Sequence, residues 1–245
     1  MASSSNRSSL AVLCVHGAGA GGWEWNQWSR VIAARGLAVS APDLQPVASG
    51  LAQTRFEDYR MQVADSARQL AQAGDAALVL VGASLGGLLA LSVAVDVHAA
   101  ALVLINPMPP VGIVAKPLGK AYPALVPWGQ NRSIASTRRA MPDADDAACL
   151  FAFRRWRDES GLALEQARLG IQVEFPRCPV LVMASQNDND IPIVVSRALA
   201  TRSAGEFEVL HGCSHTGPLL GADAAGIAGR TVDWMIARTA AHKLP

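Results

Sequence analysis

One segment, residues 77–94, constrains the fold of this chain more than any other. Its first part, 77–81, is apolar and about as long as a strand, and its last part, 88–94, has the composition of a buried helix. Between them, residues 82–87 place Ser84 between two glycines in a G-x-S-x-G pattern. A strand, a tight turn and a helix in this order predict an α/β fold in which the Ser84 hydroxyl projects above the sheet.

Glycine is expected on both sides of Ser84 for steric reasons. The serine of such a turn has a strained backbone, and neighbouring elements crowd the turn, so Gly82 and Gly86 remove side chains that would clash. An ordinary connection between a strand and a helix also fits these residues. A dinucleotide-binding loop would need G-x-G-x-x-G and a P-loop would need Gly-Lys-Ser/Thr, and residues 82–87 contain neither pattern.

Short apolar runs alternate with longer helical patterns along the rest of the chain. The predicted strands are 10–15, 37–41, 77–81, 102–105, 180–184 and 207–210. The predicted helices outside the region 107–176 include 24–34, 56–73 and 231–241. This alternation predicts a mostly parallel central sheet with helices on both faces.

Residues 107–176 interrupt the alternation. No strand is evident there, prolines recur, and helical patterns cover 143–157 and 162–171. Because ligands bind at the carboxyl ends of parallel strands, we predict a small helical cap inserted into a core of residues 10–106 and 177–245. The alternative is an ordinary excursion of the chain over the surface.

Charge and cysteine content argue against several classes of partner. The formal net charge of +1 gives no reason to expect nucleic acid or an anionic membrane. No apolar stretch reaches membrane length, and the four cysteines have no close-paired spacing. We therefore expect a cytoplasmic protein with no metal and no cofactor.

Two polar segments are expected to face solvent. Residues 1–9 are predicted to be a disordered tail, and Arg154, Arg155 and Arg157 are expected on a solvated helix face.

A serine hydroxyl becomes a good nucleophile only when a base takes its proton. His215 is the predicted base, because it lies in a loop after the last predicted strand with freedom to reach inward. His211 ends that strand itself, His98 is expected at the surface on the far side of the sheet, and His242 lies close to the C-terminus.

The acid that orients the histidine should follow the strand 180–184 and precede the histidine in chain order. Asp188 lies four residues after that strand and four before Pro192, which suits a loop carboxylate turned back over the sheet. Asp190 is the competing residue, and we expect it to cap the helix that begins near Pro192 instead.

The oxyanion formed during attack needs N–H donors. One should be the N–H of Leu85, and the other should come from the glycine-rich loop, residues 16–22, for which Ala18 is the candidate. His16 would then brace this loop rather than act as a base. A phosphate cradle is the alternative, but no lysine and Ser/Thr follow the glycines.

The chain resembles the α/β-hydrolase fold superfamily from about residue 10 to residue 241, and within it the plant methylesterases and hydroxynitrile lyases with their bacterial relatives. The motifs that carry the resemblance are Val15-His16-Gly17-Ala18, Gly22-Trp23, Ala41-Pro42-Asp43-Leu44, Ser49-Gly50, Phe56-Glu57-Asp58-Tyr59, Leu80-Val81-Gly82 with Ser84-Leu85-Gly86-Gly87, and Asn106-Pro107-Met108-Pro109.

The resemblance also helps to choose a reaction. Lyases of this group tend to carry threonine at the position of Gly17 and lysine at that of Thr216, so this chain is esterase-like at both positions. The expected function is hydrolysis of a carboxylic ester or lactone of a small, largely apolar substrate through an acyl-enzyme. A thioesterase, an acyltransferase or cyclase, a lyase and a non-hydrolytic receptor remain as alternatives.

Apolar residues of the predicted cap are expected to contact the substrate, although they could equally form the cap's own core. The predicted substrate-binding residues are Gly17, Trp23, Met108 and Trp128. Trp23 is included because it follows the glycine-rich loop closely. The oligomeric state is not readable from the sequence.

Overall fold

A computed structural model describes residues 10–241, and the predicted tail 1–9 and His242 lie outside the described residues. The strands are β1 (Leu10–Val15), β2 (Ala38–Ser40), β3 (Ala77–Ala83), β4 (Ala101–Ile105), β5 (Leu125–Val126), β6 (Glu159–Ser160), β7 (Val180–Ser185) and β8 (Glu206–Leu210). Six of them form a parallel sheet in the order β2-β1-β3-β4-β7-β8, and β5 pairs with β6 in a separate antiparallel sheet.

Helices lie between and after these strands. They are α1 (Asn26–Ala34), α2 (Phe56–Gln72), α3 (Leu85–Val93), α4 (Ile134–Ala140), α5 (Asp146–Phe153), α6 (Gly161–Leu169), α7 (Ile193–Arg202), α8 (Gly217–Leu220) and α9 (Ala224–Ala241). Two short 3₁₀ turns, Gly22–Trp25 and Leu51–Gln53, precede α1 and α2. The predicted α/β fold with a mostly parallel sheet is confirmed.

The two faces of the sheet bury alternate residues of each strand. Leu13 of β1 and Leu80 of β3 are direct partners in the parallel register and pack with α2 and α3 on one face. Val12 and Val79 point to the other face, where α1 and α9 cover them. Because both faces are buried, these strands consist of continuous apolar runs rather than alternating ones.

The helix predicted over 56–73 is α2, with Phe56, Tyr59 and Val63 on its buried face. The last helix, α9, begins at Ala224 rather than at residue 231 as predicted. The sequence pattern does not predict α4 or α8, because these helices are only seven and four residues long and have too few turns for a clear apolar period.

Residues 107–176, here called the cap segment, lie between β4 and β7, which are neighbours in the sheet. The cap segment contains α4, α5 and α6, but also the short strands β5 and β6, so the expectation of no strand there was wrong. The predicted helix 143–157 is shorter than expected. It begins after Asp145, whose side chain accepts the Ala148 N–H at 2.7 Å and caps α5, and it ends at Phe153.

None of the described helices combines the length and apolar character that crossing a bilayer requires. All four cysteines are free, and the three at positions 14, 149 and 213 are buried.

Candidate active site

The turn at Ser84 connects β3 to α3 with a backbone conformation that L-residues rarely adopt, φ +54° and ψ −120°. A Cβ at Gly82 would lie 2.2 Å from the Gly86 carbonyl oxygen, and a Cβ at Gly86 would lie 2.2 Å from the Val15 carbonyl oxygen. Real Cβ atoms do not approach backbone so closely, so the steric requirement for both glycines is confirmed. The strain at Ser84 is the kind found at functional sites.

Asp188 and His215 lie at the same edge of the sheet, after β7 and β8. His215 Nδ1 is 2.8 Å from Asp188 Oδ2. The second oxygen of Asp188, Oδ1, accepts the N–H groups of Asp190 and Ile191 at 2.8 and 2.9 Å. The Asp188 side chain is 1% exposed and that of His215 is 19% exposed, so the pair is shielded but the imidazole still reaches the cavity.

Opposing effects act on the His215 imidazole. Burial lowers its pKa, whereas the hydrogen bond and charge of Asp188 raise it, and the charges of Asp190 and Glu24 add to that increase. The net result is a pKa above the ordinary histidine value. A base that holds a proton well after taking it suits proton transfer near neutral pH.

Asp190 does not cap a helix, contrary to the prediction. The N-cap residue of α7 is Pro192, and no side chain caps this helix. Asp190 is instead exposed, and one carboxylate oxygen each of Asp188 and Asp190 and a ring nitrogen of His215 lie within 4.8 Å of one another. Asp188 already binds His215 and two backbone N–H groups through its two oxygens.

Two side chains distant in sequence hold the histidine loop, residues 211–217. The Asn106 amide donates to the His215 carbonyl oxygen at 2.8 Å and accepts the Ser185 N–H at 2.7 Å. Asp143 of the cap segment accepts the Ser214 hydroxyl at 2.6 Å and the Ser214 N–H at 2.8 Å. Sequence reasoning missed both functions, since nothing local marks these contacts.

Three carboxylates hold the glycine-rich loop, residues 16–22. Each accepts a backbone N–H: Gly17 donates to Glu24 at 2.7 Å, Gly19 to Glu159 at 2.9 Å and Gly22 to Asp43 at 2.7 Å. Within residues 10–241, the N–H groups of Ala18 and Leu85 donate to no protein acceptor. The two predicted oxyanion donors are therefore unpaired.

His16, the first residue of this loop, is buried. Its Nδ1 is 2.8 Å from the Gly17 carbonyl oxygen and its Nε2 is 2.9 Å from the Leu44 nitrogen, so Nδ1 donates and Nε2 accepts. Burial is the largest cause that lowers the pKa of His16, to about 4. The imidazole is neutral at pH 7 and braces the loop, as predicted.

Arg157 lies beyond the end of α5 and not on a solvated helix face, which corrects the expectation for this residue. Its guanidinium donates from Nε to the Ala20 carbonyl oxygen at 2.6 Å, and its backbone N–H donates to the Gly19 carbonyl oxygen at 2.8 Å. The neighbouring Arg154 and Arg155 are exposed as expected. His98 and His211 are also exposed, in agreement with the prediction.

A cavity of about 660 Å³ opens beside Ser84 and His215, and most of the side chains that line it are apolar. Met108 and Trp128, two of the predicted substrate-binding residues, line it. The other lining residues are Ala18, Pro109, Leu118, Gly119, Tyr122, Arg132, Ser136, Thr137, Ala140, Trp156, Leu164, Ala167, Arg168, Asn189, Asp190, Ile191, Pro192 and Thr216. Within the described residues, no protein hydrogen bond involves the Ser84 hydroxyl. In free enzymes such bonds are often long and tighten when substrate binds.

Gly17 and Trp23 are placed differently from Met108 and Trp128. Gly17 lines a smaller cavity of about 50 Å³ that also contacts Ser84, together with Glu24, His215 and Thr216. Trp23 lines neither cavity, and packs edge-on against Phe151 and Trp156 at ring-centroid distances of 5.8 and 5.1 Å.

This architecture matches known proteins. A sequence profile of the alpha/beta hydrolase family matches residues 12–230. The chain belongs to this family. The predicted membership of the α/β-hydrolase superfamily is therefore confirmed, although no curated protein matches the sequence.

Solved structures of other proteins superpose over almost the whole chain. A pyrethroid hydrolase from Sphingobium faniae JZ-2 has a TM-score of 0.71 at 20% identity, covering 94% of this chain and 98% of that chain. The methylesterase MES16 from Arabidopsis has a TM-score of 0.68 at 17% identity, covering 92% and 99%. A thermophilic esterase from Thermogutta terrifontis, with malate bound, has a TM-score of 0.66 at 19% identity, covering 95% and 91%. At these identities the likeness establishes the fold alone.

Proposed function

We propose that this alpha/beta hydrolase is a serine esterase or lactonase that acts on a small, largely apolar substrate through an acyl-enzyme. The observation that carries the proposal is the meeting of three features at one edge of the sheet. These are the strained Ser84 turn, the His215–Asp188 pair at 2.8 Å, and the unpaired N–H groups of Ala18 and Leu85. A nucleophile, an oriented base and oxyanion donors are the parts that acyl transfer requires.

In the acylation step, the Ser84 hydroxyl attacks the ester carbonyl carbon while His215 Nε2 takes its proton. Asp188 holds the other ring nitrogen, which keeps the imidazole in the correct tautomer and stabilises its charged form. The raised pKa of His215 favours this proton transfer. His215 then gives the proton to the departing alcohol, and the acyl group stays on Ser84.

The oxyanion of the tetrahedral intermediate is bound by the Ala18 and Leu85 N–H groups. Each such donor is worth roughly 3 kcal/mol of transition-state stabilisation. Leu85 is the first residue of α3, so its N–H is among those that a helix leaves unpaired at its N-terminus. Water then attacks the acyl carbonyl carbon, His215 accepts a proton from it, and the acid leaves as Ser84 regains its proton.

The main cavity supports a substrate with an apolar acyl or alcohol group. Met108, Tyr122, Trp128 and Trp156 contribute large apolar surfaces beside Ser84. The superposed structures carry the names of a pyrethroid hydrolase, a methylesterase and an esterase, which agrees with ester cleavage. Cyanohydrin cleavage is disfavoured, since Thr216 stands where the related lyases carry lysine.

Turnover of a panel of esters, lactones and thioesters by the purified protein tests this proposal, with Ser84→Ala as the control variant. We expect hydrolysis of at least one apolar ester or lactone, and a loss of several orders of magnitude in kcat for Ser84→Ala. A preference for thioesters would redirect the substrate assignment. Retention of most ester hydrolysis by Ser84→Ala would refute the nucleophile assignment.

A further inference from the structure

The smaller cavity next to Ser84 has no place in the reaction as described so far. Its volume is about 50 Å³, and its lining includes Ser84, His215, Glu24, Gly17 and Thr216. A water molecule needs roughly 10–15 Å³ of such volume and two to four polar partners. The cavity is therefore large enough for water, and it touches both the nucleophile and the base.

Glu24 places a carboxylate at this cavity. The residue is 5% exposed, and its Oε1 accepts the Gly17 N–H at 2.7 Å. Within residues 10–241, no protein group donates to its second oxygen, Oε2. Unlike the fully buried and unpartnered indole nitrogens of Trp23 and Trp25, Oε2 remains accessible. A carboxylate oxygen of a buried residue is costly without a donor, so an accessible one binds water. Water in the smaller cavity would supply that donor.

We propose that Glu24 binds the water molecule that hydrolyses the acyl-enzyme and holds it in the smaller cavity beside Ser84. This inference rests on the proposed function. The water donates a hydrogen bond from one O–H group to the Glu24 carboxylate, and this proton stays on the water oxygen as that oxygen attacks the acyl carbonyl carbon. Its other proton passes to His215 Nε2. The bond between the acyl carbon and Ser84 Oγ then breaks, Ser84 takes the proton from His215, and the carboxylic acid leaves.

The charges around Glu24 are consistent with this function. The titratable groups that face it are the Cys14 thiol in β1, His215 in the histidine loop and Arg157 in the cap segment. Burial raises the pKa of Glu24 to about 7, and the Gly17 hydrogen bond and the charges of His215 and Arg157 oppose that rise. A protonated His215 next to Glu24 therefore favours the carboxylate form at the moment when water is deprotonated.

A purely structural function for Glu24, as an anchor for Gly17, predicts a different kinetic result. Loss of an anchor would misplace the Ala18 donor, and both acylation and deacylation use that donor. Loss of a water site would slow deacylation alone. Glu24→Gln separates the two, since an amide oxygen still accepts the Gly17 N–H while the amide nitrogen that replaces Oε2 cannot accept from water.

Rapid mixing of the protein with a p-nitrophenyl ester measures both steps, because p-nitrophenol release in the first turnover reports acylation and the steady state reports deacylation. In Glu24→Gln we expect acylation within about threefold of wild type and deacylation slowed by about 10- to 100-fold, as loss of a hydrogen bond to a charged group implies. The acyl-enzyme should then accumulate and be visible as an intact-protein mass increase. Hydroxylamine, which attacks without that water, should restore turnover.

Glu159→Gln is the matched control. Glu159 is another buried carboxylate that anchors the same loop, through Gly19, but it does not line the smaller cavity. We expect this variant to change acylation and deacylation by similar factors. Leu219→Phe provides a second test if Glu24→Gln does not fold, because Leu219 lines the smaller cavity and a larger side chain would fill it while Glu24 stays intact.

Equal slowing of both steps in Glu24→Gln, or unchanged deacylation in either Glu24→Gln or Leu219→Phe, would overturn the water-binding function alone. A wild-type protein that forms no acyl group on Ser84 would overturn the proposed function, and this inference with it. The two failures are distinguished by comparing p-nitrophenol release by wild type and Ser84→Ala, because that difference persists when only the water-binding function fails.

Discussion

The Ser84 turn and the glycine-rich loop lie side by side at one edge of the sheet, but different forces hold them. The turn is fixed by the backbone of its neighbours, as Gly82 and Gly86 pack directly against carbonyl groups. The loop is fixed by the side-chain carboxylates of Glu24, Asp43 and Glu159, which accept its N–H groups. The first arrangement depends on shape alone, whereas the second depends on charge and on residues far away in sequence.

The side chains that hold the glycine-rich loop also connect the cap segment to the predicted oxyanion site. Glu159 and Arg157 belong to the cap segment, and both bind the glycine-rich loop. Asp143, also in the cap segment, binds the histidine loop. The cap segment therefore covers the cavity and also holds two of the loops that carry the proposed chemistry, while the Ser84 turn is independent of these contacts.

The largest loss of stability is expected when a methyl group is added inside the Ser84 turn. In Gly86→Ala the new Cβ would lie 2.2 Å from the Val15 carbonyl oxygen and 2.4 Å from that of His16, and backbone on both sides cannot move cheaply. We expect a loss of more than about 3 kcal/mol in the free energy of unfolding, measured with denaturant. Gly229→Ala in α9, where nothing lies within 4 Å of the new Cβ, should be neutral or slightly stabilising. Equal stability of the two variants would contradict the steric account.

The next largest effect is on the pH dependence of stability and comes from His16, the first residue of the glycine-rich loop. The folded protein keeps His16 neutral down to about pH 4, whereas the unfolded chain protonates it below its ordinary value of 6.5. The unfolded state therefore binds more protons in this window, and the contribution of His16 to stability is complete above pH 6.5 and is lost as the pH falls towards 4.

A pKa lowered from 6.5 to about 4 corresponds to a contribution of about 3 kcal/mol. Between pH 7 and pH 4, we expect the free energy of unfolding of the wild type to fall by that much more than the same quantity in His16→Gln. The raised pKa of Glu24 acts in the opposite direction, and it is present in both proteins, so the difference between them isolates His16. Parallel pH curves for the two proteins would show that His16 is not held neutral.

A smaller loss of stability is expected when the contact between Glu159 of the cap segment and the glycine-rich loop is weakened. Glu159 accepts the Gly19 N–H, the Tyr59 hydroxyl and the Ser160 N–H, so Glu159→Gln places an amide donor against a donor. We expect a loss of about 1–3 kcal/mol in the free energy of unfolding, with a lower kcat/KM. Glu57→Gln, which removes an exposed ion pair with Arg60, should change stability by less than about 1 kcal/mol. A Glu159→Gln variant with wild-type kcat/KM would show that this contact does not position the Ala18 donor.

The same difference explains what could be predicted from the sequence. The Ser84 turn, the six strands of the main sheet and the pairing of Asp188 with His215 follow from local patterns and chain order, and the structure brings these residues together. The contacts of Asn106, Asp143 and Glu159 join residues far apart in the chain, for which a single sequence has no local signal.

The burial of Glu24 does have a local signal in the sequence, unlike these long-range contacts. Glu24 lies between two tryptophans, Trp23 and Trp25, and a charged residue in such an apolar run indicates a buried carboxylate with a specific partner. Arg157 was grouped with two exposed arginines because α5 was expected to continue to residue 157, whereas it ends at Phe153. The position of Trp23 depends on how Phe151 and Trp156 pack, which sequence spacing alone does not specify.

Reaction with a fluorophosphonate, followed by peptide mass mapping, tests the central claim most directly. We predict one phosphonyl group on the peptide that contains Ser84, no labelling of Ser84→Ala, and labelling slowed by orders of magnitude in His215→Ala because the base is lost. A wild-type protein that does not react, or a Ser84→Ala variant labelled as fast as wild type, would contradict the assignment of Ser84 as the activated nucleophile.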